Sequence, residues 1–85
     1  MAIDLLYFAW VREAIGRDGE SVDPPAEVTD VAGLIRWLTG RGGGYAGALA
    51  DVERLRCAVD QRFASLDTEI AGAREIAIFP PVTGG

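Results

Sequence analysis

The run from Ile3 to Trp10 is apolar at every position but Asp4 and carries three aromatic rings. Eight residues is strand length, and apolar side chains on both parities suit a strand buried on two faces at the centre of a sheet. A second apolar segment, Glu75 to Phe79, stands near the other end of the chain, with Ile76 and Ile78 on one face and Ala77 and Phe79 on the other. Two such strands at opposite ends of an 85-residue chain point to one small domain whose ends meet in the middle of a sheet.

Between them the pattern predicts a helical turn over 11–15 closed by Gly16, a turn at Arg17-Asp18-Gly19, and a strand over 20–23 stopped by Pro24-Pro25. Val31, Leu34, Ile35 and Leu38 repeat at helical spacing, with Thr29 as the expected N-cap and Gly40 as a left-handed C′ residue. A shorter helix is expected over 48–54 after a flexible glycine connection. Leu55, Cys57 and Val59 then alternate as in a half-buried strand, and 63–66 extends it or adds another. The order predicts an α+β chain of the β-grasp, ubiquitin-like class. It has a mixed sheet of four or five strands, one main helix packed across it and a short extra helix. The first and last strands are expected as parallel central neighbours, with a domain over 1–79 and an extended tail over 80–85.

Composition narrows the chemistry. There is no histidine and one cysteine, and all eight cations are arginine, which removes histidine triads, most zinc sites, Schiff-base lysines and the P-loop lysine. No metal site is expected. A net charge of −5 disfavours nucleic acid and anionic membranes, and no apolar run is long enough to span a bilayer. A lone Cys and a start without a basic n-region fit a cytoplasmic protein. Gly42-Gly43-Gly44-Tyr45-Ala46-Gly47 spells a dinucleotide-binding pattern but follows a helix rather than a strand, so a plain connection is expected. Cys57, in an alternating strand, is expected as a buried, unreactive thiol. The acidic residues pair in no motif and are taken as solvated surface.

The most informative stretch is Phe79-Pro80-Pro81-Val82-Thr83-Gly84-Gly85. Pro80 has no N–H for a ladder, so the last strand should stop before it. Two prolines favour an extended tail reaching roughly 18–20 Å, and two glycines make a tip slender enough for a narrow slot. This layout suits chemistry on the terminal carboxylate itself. A partner using ATP would convert it to an acyl-adenylate, and a sulfur donor would then displace AMP to leave a thiocarboxylate.

Leu6-Tyr7-Phe8-Ala9 with Arg12-Glu13, the 29–38 helix, Ala58-Val59-Asp60-Gln61 and the stretch from Glu75 to Gly85 together resemble the family of molybdopterin synthase small subunits, which are ubiquitin-like sulfur carriers. The resemblance covers nearly the whole chain. It implies a non-catalytic sulfur-donor subunit that acts in molybdenum cofactor biosynthesis and has no activity alone. No cofactor is bound, and ATP is used by a partner resembling the ubiquitin-activating enzyme. Gly85, preceded by Gly84, is adenylated and thiocarboxylated, then enters a large subunit within a heterotetramer of two small and two large chains. There its sulfur passes to cyclic pyranopterin monophosphate. The resemblance places partner binding on Phe8, Phe63 and Phe79, on Arg12, and on the tail residues Pro80, Pro81, Val82 and Thr83. The chain departs from the family at Ala73-Arg74, where Gly-Asp is usual, and at Asp60, where Asn is common; both bear on local turn geometry. Open alternatives are a sulfur carrier of the thiamine or tRNA-thiolation type, a ubiquitin-like modifier forming isopeptides, and a binding module whose tail plugs a partner's pocket.

Overall fold

The computed structural model describes residues 2–81. Five strands, β1 (Ile3–Tyr7), β2 (Gly19–Val22), β3 (Arg56–Val59), β4 (Arg62–Ala64) and β5 (Glu75–Phe79), form one mixed sheet in the order β2-β1-β5-β3-β4. β1 and β5 are parallel central neighbours, pairing Leu5 with Ile76 and Tyr7 with Ile78, while every other pair is antiparallel. That is the β-grasp arrangement, but the two-face burial expected of the first strand is realised on one face: Ile3, Leu5 and Tyr7 are buried, whereas Asp4 is exposed and Leu6 half-buried, because the helices cover only the inward side of the sheet.

The inward side chains Ile3, Leu5, Tyr7, Cys57, Ile76 and Ile78 share one core with Val31, Leu34, Ile35 and Leu38 of α2 (Val31–Thr39). The i, i+3, i+4, i+7 stripe of that helix is wholly buried. Burying a Leu or Ile fully contributes about 1.5–3 kcal/mol each, so this stripe is a principal source of the fold's stability.

Several local expectations are corrected. The first strand ends at Tyr7 rather than Trp10, because Phe8 is the extended N-cap of a helix, α1 (Ala9–Ile15). Val11 and Ile15 of α1 pack into or against the same core, so the apolar run belongs to two elements; apolarity without a period cannot mark the junction. Gly16 closes α1 in the left-handed conformation. Asp30, not Thr29, caps α2, its Oδ1 accepting the Gly33 N–H at 2.7 Å. Gly40 stays right-handed (φ −64°), and positive φ first comes at Gly42 (φ 77°, ψ −163°), which is not the left-handed helical conformation. The glycine patch is no loose connection: it forms α3 (Gly43–Leu49), and a single 3₁₀ turn follows at Val52–Arg54. Gly44 allows this, since the backbone of α1 at Ala14 lies directly against it.

The residues at which the chain departs from the family pattern form one interlocked turn. Asp60 and Gln61 both have positive φ (49° and 70°) and make the two-residue hairpin between β3 and β4. Asp60 Oδ1 accepts the Arg74 and Glu75 N–H groups at 2.9 and 3.0 Å, which fastens the hairpin to the start of β5. Gly72 (φ 80°) supplies the left-handed step one position ahead of Ala73-Arg74, and Ala73 is buried.

Trp10 and Trp37 are half-buried against the core, each with an arginine over its ring: Arg54 lies 5.5 Å from Trp10 and Arg41 4.9 Å from Trp37. Among the described residues no helix is long and apolar enough to cross a membrane.

Candidate docking face at the end of the central strand

β5 ends at Phe79, directly before Pro80. Register places this end of the sheet beside Tyr7–Phe8 and the start of β3, since Phe79 pairs with Arg56. Phe79 and Phe63 lie on the side of the sheet away from the helices, because their strand neighbours Ile78 and Ala64 take the core-facing parity with Cys57. Their rings meet edge to face with centroids 5.9 Å apart. Phe63 is 82% exposed, far more than a core aromatic, while Phe79 is half-buried beneath it.

Phe8 is 47% exposed and fixed to the same end of the sheet by its N–H, which reaches the Ile78 carbonyl at 3.4 Å. Its carbonyl accepts the Arg12 N–H at 3.3 Å, so Arg12 stands one helical turn further along α1, exposed. The structure thus brings Phe8, Phe63, Phe79, Pro80 and Pro81 to one end of the molecule, with Arg12 at its margin. Two exposed phenylalanines and a half-buried third at one end of the sheet make this face the candidate interaction surface. Val82, Thr83, Gly84 and Gly85 lie outside the described residues.

Cys57 is buried, its thiol directed to the Ala64 carbonyl at 3.2 Å, and burial pushes its pKa up. A desolvated neutral thiol is a poor nucleophile, as its strand position suggested. Among the described residues no group of His, Cys, Asp or Glu could hold a metal ion.

One polar cluster was missed by sequence reasoning. Glu20 is not solvated surface. Its side chain is 10% exposed and accepts hydrogen bonds from Tyr7 (2.8 Å), Tyr45 (2.6 Å), Arg41 (2.9 Å) and Arg17 (3.3 Å). Residues from β1, β2, α3 and two loops meet there, separations no local pattern can reveal. Burial raises the carboxyl pKa, but the bonds from Tyr45, Tyr7 and Arg41 outweigh it and the net shift is downward. Burial and the neighbouring carboxylate push the Tyr7 hydroxyl well up. A lowered folded-state pKa gives stability that is complete above the unfolded carboxyl value, about 4.3, and is lost as pH falls through the lower folded value. Glu20→Gln should therefore lower stability by about 1–3 kcal/mol at pH 7. It should also flatten the acid limb of a urea-unfolding series carried downward from pH 5. An unchanged acid limb would remove Glu20 from the acid response.

Fold and site together define a ubiquitin-like β-grasp protein with an exposed aromatic face at the end of its central strand. The model of the ThiS family matches residues 5–85, and the chain belongs to that family. It is 39% identical over 83 residues to the molybdopterin synthase sulfur carrier subunit of Escherichia coli (strain K12), covering 98% of this chain and 99% of that one. It is 37% identical to the protein of the same name from Dictyostelium discoideum, over 95% of this chain and 93% of that one. Among solved structures, SAMP1 from Haloferax volcanii shares the fold, with a TM-score of 0.73, 23% identity and complete coverage of both chains.

Proposed function

We propose that this chain is a sulfur carrier of molybdenum cofactor biosynthesis and acts as the small subunit of a molybdopterin synthase. The observation that carries this is the full-length similarity to curated sulfur carrier subunits of that name. The geometry supports it: the central strand ends in Phe79-Pro80-Pro81 beside an exposed aromatic face, and the only cysteine is buried.

On this reading the reacting group is the Gly85 carboxylate. A carboxylate oxygen attacks the α-phosphorus of ATP in an activating partner and releases pyrophosphate. A sulfide-level donor then adds to the acyl carbon and AMP departs, leaving the thiocarboxylate. In the large subunit the thiocarboxylate sulfur bonds to a carbon of cyclic pyranopterin monophosphate and displaces an oxygen substituent there. Water then cleaves the acyl–sulfur bond, leaving the sulfur on the pterin and returning the carrier as a carboxylate. The partners supply the catalytic side chains; this chain supplies the docking face and the acyl group. Phe8, Phe63 and Phe79, with Arg12, Pro80, Pro81, Val82 and Thr83, are its contacts, in an assembly of two small and two large subunits.

Intact-mass measurement after incubation with ATP, an activating enzyme and a sulfur donor tests this. A gain equal to sulfur replacing one oxygen is expected. A ladder of heavier conjugates on target proteins would instead mark a modifier and overturn the proposal.

A further inference from the structure

Arg56 lies on the outward side of β3, opposite Phe79 in register and against the rim of the aromatic pair. With Phe63, Phe79, Ala64 and Cys57 it lines a groove of about 350 Å³. Its guanidinium is held in place: Nη1 donates to the Glu53 carbonyl at 3.0 Å and to the Leu55 carbonyl at 2.8 Å. Those bonds use both protons of one nitrogen. The opposite edge of the fork, Nε and Nη2, has no protein acceptor among the described residues, and no carboxylate pairs with this side chain there. An arginine pinned at one nitrogen has already lost much of its rotamer freedom, and its open edge matches the two oxygens of a carboxylate.

We propose that Arg56 is a specificity determinant of the docking face. It selects a protein partner that seats an apolar side chain in the Phe63–Phe79 groove and places an Asp or Glu carboxylate next to it, bidentate on Nε and Nη2. The charge of the chain as a whole favours this division of labour. On a chain of net charge −5, a fixed cation beside the apolar groove favours an acidic side chain at that point, so Arg56 sets the register of docking as well as contributing affinity. The inference rests on the proposed function in naming the partner, the large subunit of molybdopterin synthase.

Calorimetric titration of that subunit from the same organism into the full chain tests it. Arg56→Gln is expected to weaken binding about 10–100-fold, the range for losing a charge-assisted paired hydrogen bond. Its affinity should also depend less on salt than that of the wild type. Arg56→Lys keeps the charge but not the fork, and should recover only part of the loss. Arg56→Gln binding within twofold of wild type would overturn the proposal, and so would full recovery with Arg56→Lys, which would reduce the contact to a point charge. A wild-type dimer in sedimentation that Arg56→Glu dissolves would place a second copy of this chain on the groove and overturn the proposed occupant. Absence of binding by the wild-type chain would instead overturn the functional proposal on which it rests.

Discussion

A chain lacking Gly85 is expected to gain no productive sulfur, whatever activating enzyme and donor are present. The expected effect is loss of transfer to the pterin substrate below detection, because the acyl carbon would then end one residue short of the attacking groups. A shift of one residue, about 3.3–3.6 Å, exceeds the tolerance of in-line attack, where a misplacement of about 1 Å can cost 100-fold. Adding one residue beyond Gly85 should be as damaging, since it moves the carboxylate past the same point. Cys57→Ala should retain transfer, because the buried thiol takes no part. Single-turnover formation of dithiolene product by the reconstituted synthase measures all three. Transfer that survived loss of Gly85 and failed in Cys57→Ala would reverse the assignment of the sulfur-bearing group. Binding to the large subunit that survived the added residue, with no sulfur transferred by the wild-type chain, would point to a plug rather than an acyl carrier.

The largest effect on stability is expected from Gly44→Ala. A Cβ at Gly44 would stand 2.1 Å from the Ala14 carbonyl oxygen and 3.1 Å from the Ile15 Cα, both backbone atoms of α1 that cannot swing aside. Relief requires α3 to move off α1, and forced overpacking of this kind costs at least about 3 kcal/mol, the upper end of its usual range. For a domain of 85 residues, whose total stability is about 4–13 kcal/mol, that is a large fraction. Gly47→Ala in the same short helix is the control. It meets nothing within 4 Å, and should be neutral or stabilising by up to about 1 kcal/mol through helix propensity. Urea midpoints separate the two; equal midpoints would show that the α1–α3 contact is looser than described.

The glycine patch illustrates why some of the fold was illegible. Gly42-Gly43-Gly44 reads locally as flexible chain, since glycine disfavours helices by about 1 kcal/mol per residue. Tertiary contact reversed that preference, because only a residue without a Cβ lets α3 lie on α1. The end of the first strand was hidden for a related reason. Phe8 and Ala9 continue the apolar composition of β1 while the backbone turns into α1, with Ala9 at a positive φ of 53°.

Glu20 and Arg56 were missed because neither is unusual in its own neighbourhood. Glu20 becomes a half-buried acceptor only when Tyr7, Arg41 and Tyr45 arrive from 13, 21 and 25 residues away. Arg56 becomes a fixed fork only when the 3₁₀ turn before it presents the Glu53 carbonyl.

By itself the sequence determined the sheet's centre and the side on which α2 packs. Two apolar terminal strands belong at the sheet's centre, and a helix with one apolar stripe must lie on their inward face; these are properties of composition and periodicity, which local order carries. The missing histidine and lysine and the Phe-Pro-Pro-Val-Thr-Gly-Gly ending were equally plain, and they directed attention to the terminal carboxylate. The tertiary structure alone decided which aromatic rings stand exposed together, which carboxylate gathers the hydroxyl and guanidinium donors and which arginine is held open. Those depend on strand register and on contacts between residues far apart in the chain. Both are settled only when the whole core has packed.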